Sequence, residues 1–123
     1  MLADTQTAYN LAVRQGETFY QEFQWAFEGT TPVNLTSMTS RGQIRSSASH
    51  AGVICAITIA IIDAANGIFA LKLTAAETKS IPTTGDAYDE AETYVYDVEF
   101  TDSAGAVYRV LQGYVTVSPE VTK

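Results

Sequence analysis

The chain has 123 residues, of which 46% are hydrophobic and 17% are charged, and its formal net charge is −7. This length and composition are typical of one globular domain, here residues 1–123, that needs neither disulfides nor a metal to fold. An acidic surface repels phosphate groups, so we expect neither nucleic acid nor a membrane as a partner. No signal peptide is expected at the N-terminus, and the longest apolar run, 53–62, is shorter than the roughly 20 residues that span a bilayer.

Alternation of apolar and polar residues predicts β-strands along most of the chain. The expected strands are 9–14, 18–27, 39–45, 53–62, 68–73, 94–101 and 107–117. The second strand alternates imperfectly near Gln21 and Glu22, which is typical of a bulge or an edge strand. The third strand has Arg41, Gln43 and Arg45 on one face and few large apolar residues on the other. We therefore expect it near a sheet edge or against a partner.

The connections between strands contain a hairpin turn and a short helix. Asn66 and Gly67 follow a β-branched strand and can supply the positive φ angles of a tight hairpin. Thr74 and Glu77 have the spacing of a capping box, so one short helix is predicted near 75–81.

About seven short strands and one helix predict an all-β fold, an antiparallel β-sandwich of immunoglobulin-like architecture. Extended tails are expected at 1–8 and 118–123.

The residue types that catalysis uses most often are scarce in this sequence. His50 is the single histidine and Cys55 the single cysteine. Cys55 lies in an apolar run and is interpreted as a small buried hydrophobe, whereas His50 lies in the serine-rich loop 46–52. One histidine and one cysteine do not make the usual zinc sites, and no glycine-rich phosphate loop is present. The sequence therefore predicts a non-enzymatic protein without cofactors.

An acidic cluster, Asp86, Asp89, Glu90 and Glu92, lies in the loop 84–92. Calcium binding by these carboxylates is one interpretation, because Ca²⁺ takes about six to eight oxygen ligands in flexible geometry. The spacing departs from that of an EF-hand, so a solvated or partner-facing loop is the favoured interpretation.

Charged groups on a strand can recognise the opposite charges of a partner. Arg41 and Arg45 share a strand face and could pair with a partner's carboxylates. The predicted partner interface therefore comprises Arg41, Arg45, His50, Asp86, Asp89, Glu90 and Glu92.

Aromatic residues in the strands raise a different class of function, the binding of sugars or a host receptor. A stacking platform could be formed by Tyr20, Trp25, Tyr94, Tyr96, Tyr108 and Tyr114. Alternating aromatic residues in strands more often pack in a core, and we favour that interpretation.

Five short motifs follow one another along residues 9–117. They are Gly16-Glu17-Thr18-Phe19, Pro32-Val33-Asn34-Leu35-Thr36, Asp63-Ala64-Ala65-Asn66-Gly67, Leu73-Thr74-Ala75-Ala76-Glu77-Thr78 and Tyr94-Val95-Tyr96-Asp97-Val98-Glu99. Their order resembles that of small β-sandwich proteins of tailed bacteriophages, including the N-terminal domain of baseplate upper proteins. The resemblance implies a virion protein that assembles in the host cytoplasm, docks onto other virion proteins and forms a homo-oligomer in the particle.

The resemblance leaves the position in the particle open. In the baseplate family the domain attaches to the tail and carries a receptor-binding fibre on a C-terminal extension, whereas this chain stops at Lys123. A tail, baseplate or fibre adaptor is the leading expectation. A capsid decoration (cement) protein that stabilises the head is the first alternative, and a carbohydrate- or host-receptor-binding module is the second.

Overall fold

The computed structural model describes residues 7–27, 30–49 and 52–122. The strands are β1 (Thr7–Ala8), β2 (Leu11–Arg14), β3 (Phe19–Gln24), β4 (Ala26–Phe27), β5 (Thr31–Pro32), β6 (Thr39–Arg45), β7 (Cys55–Asp63), β8 (Ile68–Leu73), β9 (Glu92–Thr101) and β10 (Val107–Ser118). One turn of 3-10 helix (Ala64–Asn66) joins β7 to β8, and the helix α1 (Ala75–Lys79) follows β8. The predicted all-β fold with one short helix is confirmed.

Eight strands form one sheet in the order β1-β10-β9-β6-β7-β8-β3, with β2 also paired to β10. The sheet folds back on itself at β7, because residues 55–57 pair with β6 whereas 58–63 pair with β8. All pairings are antiparallel except those of β1 and β2, which run parallel to β10. The remaining strands, β4 and β5, form a separate two-stranded ribbon.

The hydrophobic core lies between the two halves of the folded sheet. The rings of Phe69 in β8 and Phe100 in β9 contact each other at 5.1 Å between centroids, although these strands are not paired. Trp25 packs on Phe100 and Tyr108, each at 5.8 Å between centroids. Burial of an aromatic side chain of this kind stabilises the fold by about 1.5–3 kcal/mol. The folded sheet, which is mixed and not purely antiparallel, is therefore held together by contacts between residues far apart in the sequence.

The strand β6 lies in the middle of the sheet, between β9 and β7, so the prediction of an edge position is wrong. Its inward face carries few large side chains because its neighbours fill that space. A Cβ at Gly42 would lie 3.2 Å from Ile57 and 3.3 Å from Val98. A strand with small inward residues can therefore be central when its neighbours are large.

Some residues of the predicted tails at 1–8 and 118–123 have partners in the rest of the fold. Thr7 and Ala8 form β1, which pairs with β10. At the other end, Ser118 closes β10, and the Glu120 amide donates a hydrogen bond of 3.0 Å to Gln15 Oε1. The side chain of Gln15 and the edge of β10 thus supply partners for parts of both segments, whereas the tails at 1–8 and 118–123 as a whole stay a prediction. Residues 1–6 and 123 lie outside the described residues.

Two local predictions are corrected in detail. The strand β3 is an edge strand of the sheet, as one interpretation had it, but it alternates regularly and contains no bulge. The hairpin between β7 and β8 is confirmed, but Gly67, at φ 71°, is the turn residue with a positive φ angle. Asn66 ends the 3-10 turn and its side chain donates to the carboxylate of Asp63 at 2.8 Å.

Candidate docking surface

The outward sides of three neighbouring strands, β6, β9 and β10, form a polar surface. Residues that pair across these strands lie in three rows. We call this surface the docking face, and its rows are Arg45–Val95–Tyr114, Gln43–Asp97–Gln112 and Arg41–Glu99–Arg109. The strict alternation of β9, in which Tyr94, Tyr96, Val98 and Phe100 are buried, keeps its polar residues on this side.

A β-bulge decides which residues of β10 belong to the docking face. The register of β10 against β9 shifts between Arg109 and Leu111. Because one extra residue is accommodated there, the adjacent Val110 and Leu111 are both buried at 4% exposure. Arg109 on one side of the bulge and Gln112 on the other then share the outward face.

Ion pairs and hydrogen bonds connect the three rows. Arg41 Nη2 lies 3.2 Å from Glu99 Oε1, and Arg109 Nε lies 3.7 Å from Asp97 Oδ2. Arg45 Nη2 donates to Gln43 Oε1 at 2.9 Å. The arginine side chains are therefore arranged by their neighbours in the row or the next row, which lowers the entropy that a partner must remove on binding.

The central carboxylate, Asp97, is in an environment that disfavours its charge. Burial is the largest influence that raises the pKa of Asp97, and the nearby carboxylate of Glu99 raises it further. Arg109, Arg41 and Arg45 act in the opposite direction without cancelling the effect. A positive group of a partner near Asp97 would stabilise the Asp97 carboxylate, whereas a negative group of a partner could pair with Arg41, Arg45 or Arg109.

A groove runs over the docking face near Tyr114. It encloses about 520 Å³, within the roughly 300–1,000 Å³ that is usual for binding pockets. Its lining residues are Ala8, Gln43, Arg45, Ala48, Val95, Tyr96, Asp97, Arg109, Gln112, Gly113 and Tyr114. Tyr114 is 57% exposed, so its ring is available for contact with a partner.

A tightly hydrogen-bonded junction supports the floor of the groove. The Tyr96 hydroxyl donates to the Tyr9 carbonyl at 2.6 Å, and the Tyr114 amide donates to Asn10 Oδ1 at 3.0 Å. Burial raises the pKa of Tyr96 well above that of a free phenol. Gly113 is needed here because a Cβ would overlap the backbone of Tyr9. Between β1 and β2, the Asn10 side chain thus takes the place of a backbone partner for β10.

The structure separates the residues of the predicted interface. Arg41 and Arg45 belong to the docking face, and the exposed loop residue Ala48 lines its groove. Asp86, Asp89 and Glu90 lie in the loop before β9, and Glu92 is the first residue of β9. None of the four lines the groove. His50 lies outside the described residues.

Sequence reasoning missed Asp97 and Arg109 as members of a site, and it considered Tyr114 only as part of a sugar-stacking platform. The signal for Arg109 was the pair of adjacent apolar residues, Val110 and Leu111, which interrupts the alternation of β10. Asp97 could be recognised only from the pairing register of β9 with its neighbours β6 and β10, which the sequence pattern does not contain.

The aromatic residues considered as a sugar platform do not share one surface. Trp25, Tyr94 and Tyr96 are buried, as the core interpretation expected. Tyr20 on β3 and Tyr114 on β10 are exposed, but they lie on different halves of the sheet.

Within residues 7–27, 30–49 and 52–122, no three His, Cys, Asp or Glu side chains gather in a group that could hold a metal ion. None of the helical segments in these ranges is long and apolar enough to cross a bilayer. No model of a known protein family matches the chain, and no curated protein is similar enough to count as a relative.

Proposed function

We propose that the protein is a non-enzymatic structural component of a tailed bacteriophage that docks onto other virion proteins at the tail or baseplate. The proposal is supported mainly by the docking face, on which Arg41, Arg45, Arg109 and the exposed Tyr114 lie at paired positions of three neighbouring strands. Arginine and tyrosine are over-represented among the residues that contribute most to protein–protein binding. The order of sequence motifs along residues 9–117 supports the phage context.

The position of the docking face in the fold also favours a binding role. It stands on β6, β9 and β10, where β9 is paired on both sides over most of its length. Pairing fixes the backbone of these strands before a partner binds, so binding does not have to order the backbone and more of the contact energy appears as affinity.

The test is the location of the protein in purified particles that carry its gene. Cryo-electron microscopy that finds this β-sandwich between the tail tube and a fibre or baseplate supports the proposal. Density on the head between capsomers would instead support the capsid decoration alternative. If the chain is absent from purified particles by mass spectrometry, both virion roles are contradicted.

Two matched variants test whether the docking face makes the contact. Tyr114→Ala removes the exposed ring of the docking face, and Tyr20→Ala removes a ring of similar exposure on the other half of the sheet. Loss of a central aromatic contact costs about 2 kcal/mol or more, which is roughly a 30-fold loss of affinity. We expect Tyr114→Ala to lower incorporation into particles and Tyr20→Ala to leave it unchanged. Equal incorporation of both variants would contradict the role of this face.

A further inference from the structure

The four carboxylates of the loop 84–92 have two different roles. Glu90 Oε1 accepts a hydrogen bond from the Asp86 amide at 3.2 Å, and Glu92 Oε1 accepts one from Thr84 Oγ1 at 2.9 Å. Glu90 and Glu92 therefore hold the shape of the loop. Asp86 and Asp89 are exposed on it together with Tyr88, whose exposure is 76%.

These three exposed residues, Asp86, Tyr88 and Asp89, form what we call the acidic tip. The acidic tip combines two negative charges with an aromatic side chain. The hydrogen bonds of Glu90 and Glu92 hold the loop that carries it. Aromatic residues supply large contact areas at interfaces, and flanking charges select the partner. The acidic tip is therefore built to contact a surface that is basic and partly apolar.

The docking face has the complementary charge. Its three arginines and two carboxylates give it a net charge of +1, on a chain whose net charge is −7. A guanidinium carries several N–H donors, more than the two acceptors, Asp97 and Gln112, that Arg109 contacts. Arg109 can therefore bind a further carboxylate without losing its present contacts.

We propose that the acidic tip of one copy of this chain docks into the groove of the docking face on a second copy. Arg45 and Arg109 face the carboxylates of Asp86 and Asp89, and the Tyr88 ring packs beside Tyr114. Because tip and groove are different patches, the contact is head-to-tail and builds rings or chains of subunits. The inference rests on the proposed docking role of the face and names its occupant.

The test is the oligomeric state of the purified chain by sedimentation velocity, from about 5 µM to about 500 µM, a range suited to weak assembly contacts. We expect concentration-dependent association that is weakened ~10-fold between low and high salt, because screening reduces attraction between exposed charges. Arg45→Glu/Arg109→Glu reverses the groove, and Asp86→Lys/Asp89→Lys reverses the tip. Each is expected to weaken self-association ~100-fold.

Matched controls carry the same charge change elsewhere. Arg14→Glu/Lys72→Glu is the control for the groove, and Glu17→Lys/Glu22→Lys is the control for the tip, since all four residues are exposed and outside the groove. Circular dichroism and thermal denaturation confirm that each variant is folded. Arg45→Ala/Arg109→Ala serves if the charge reversal prevents folding.

The decisive measurement mixes the two reversed variants. The groove variant retains an acidic tip that matches the basic groove of the tip variant, and the lysines of the reversed tip match the glutamates of the reversed groove. The mixture should therefore associate, with the two variants alternating, more strongly than either variant does alone. A chain that carries both reversals should again associate with itself. A wild-type chain that stays monomeric at every concentration would overturn the inference, as would self-association that both reversed variants retain.

The outcomes also separate this inference from the proposed function. A chain that is monomeric in solution but present at the tail overturns only the head-to-tail contact. A chain that associates through tip and groove but is absent from particles overturns only the virion role.

Discussion

The buried hydroxyl of Thr78 in α1 forms hydrogen bonds with the turn between β2 and β3. Thr78 has no exposed surface, and its Oγ1 accepts a hydrogen bond from the Gly16 amide at 3.0 Å. The same hydroxyl lies 3.0 Å from the Glu17 carbonyl and 3.1 Å from the Ala75 carbonyl, to which it donates. Thr78→Val keeps the shape of the side chain but leaves the Gly16 amide and the Glu17 carbonyl without this partner.

The magnitude follows from the groups left unpaired. A buried donor or acceptor without a partner costs about 1–3 kcal/mol, and the low end applies because these groups are part-buried. The additional methyl of valine offsets about 0.8 kcal/mol. With about 1–1.5 kcal/mol for each of the two groups, we expect Thr78→Val to lower the free energy of unfolding by about 1.2–2.2 kcal/mol. For a domain of this size, that corresponds to a fall of about 4–10 °C in Tm.

The assay is urea denaturation followed by the fluorescence of Trp25, the single tryptophan, which is 3% exposed. Thr78→Ser keeps the hydroxyl and removes a methyl, so it should cost about 1 kcal/mol. Thr58→Val on the exposed side of β7 should stay within about 0.5 kcal/mol of the wild type. If Thr78→Val is no more destabilising than Thr78→Ser, the hydroxyl is not the fastening group and the reasoning is refuted.

Two further substitutions test the floor and the centre of the docking face. Tyr96→Phe removes the hydroxyl that donates to Tyr9, and should lower the free energy of unfolding by about 1–2 kcal/mol with faster amide hydrogen exchange in β1. Because burial raises the pKa of Tyr96 above 10.0, its stabilising effect is complete below pH 10.0 and is lost as pH rises through the raised pKa. Alkaline denaturation of the wild type and Tyr96→Phe checks this, and identical pH profiles would contradict it. For Asp97→Asn we expect stability relative to the wild type to increase as pH rises from 3.8 through the raised pKa, because the folded protein disfavours the Asp97 carboxylate. Urea denaturation from pH 3 to pH 7 measures the difference, and a constant difference would show that the charge of Asp97 is not destabilised.

Local patterns predicted the elements whose conformation depends on their own residues. The bounds of β6, Thr39–Arg45, and of β8, Ile68–Leu73, agree with the alternation of the sequence. The helix α1 begins at the predicted capping box, in which the Glu77 amide donates to Thr74 Oγ1 at 3.1 Å and the Thr74 amide to Glu77 Oε1 at 2.8 Å. Capping and alternation act between residues close in the chain, so a single sequence is sufficient to recognise them.

The neighbours of each strand were not predictable in the same way. Alternation assigns a residue to a face of a strand but contains no information about which strand lies beside it. The central position of β6 depends on its pairing with β9, such as Arg45 with Val95. The parallel pairing of β2 with β10 depends on contacts across about a hundred residues, such as Leu11 with Val115. The docking face required both the register and the bulge near Val110. The predicted interface therefore contained Arg41 and Arg45 but not Asp97 or Arg109.

The geometry of the sheet distinguishes two ways in which another subunit could bind. Strand addition at the edge of β3 would depend on backbone hydrogen bonds, which salt affects little. A contact on the docking face depends on Arg45, Arg109 and the carboxylates of a partner, so salt weakens it. On the other side of the sheet, β1 and β2 pair with β10 at residues 111–112 and 115–118, so this part of the edge of β10 is not open to an added strand. Measuring assembly at increasing salt concentration therefore distinguishes binding through the docking face from binding through the edge of β3. Binding through the docking face also requires the bulge in β10, because the bulge places Arg109 on the outward side.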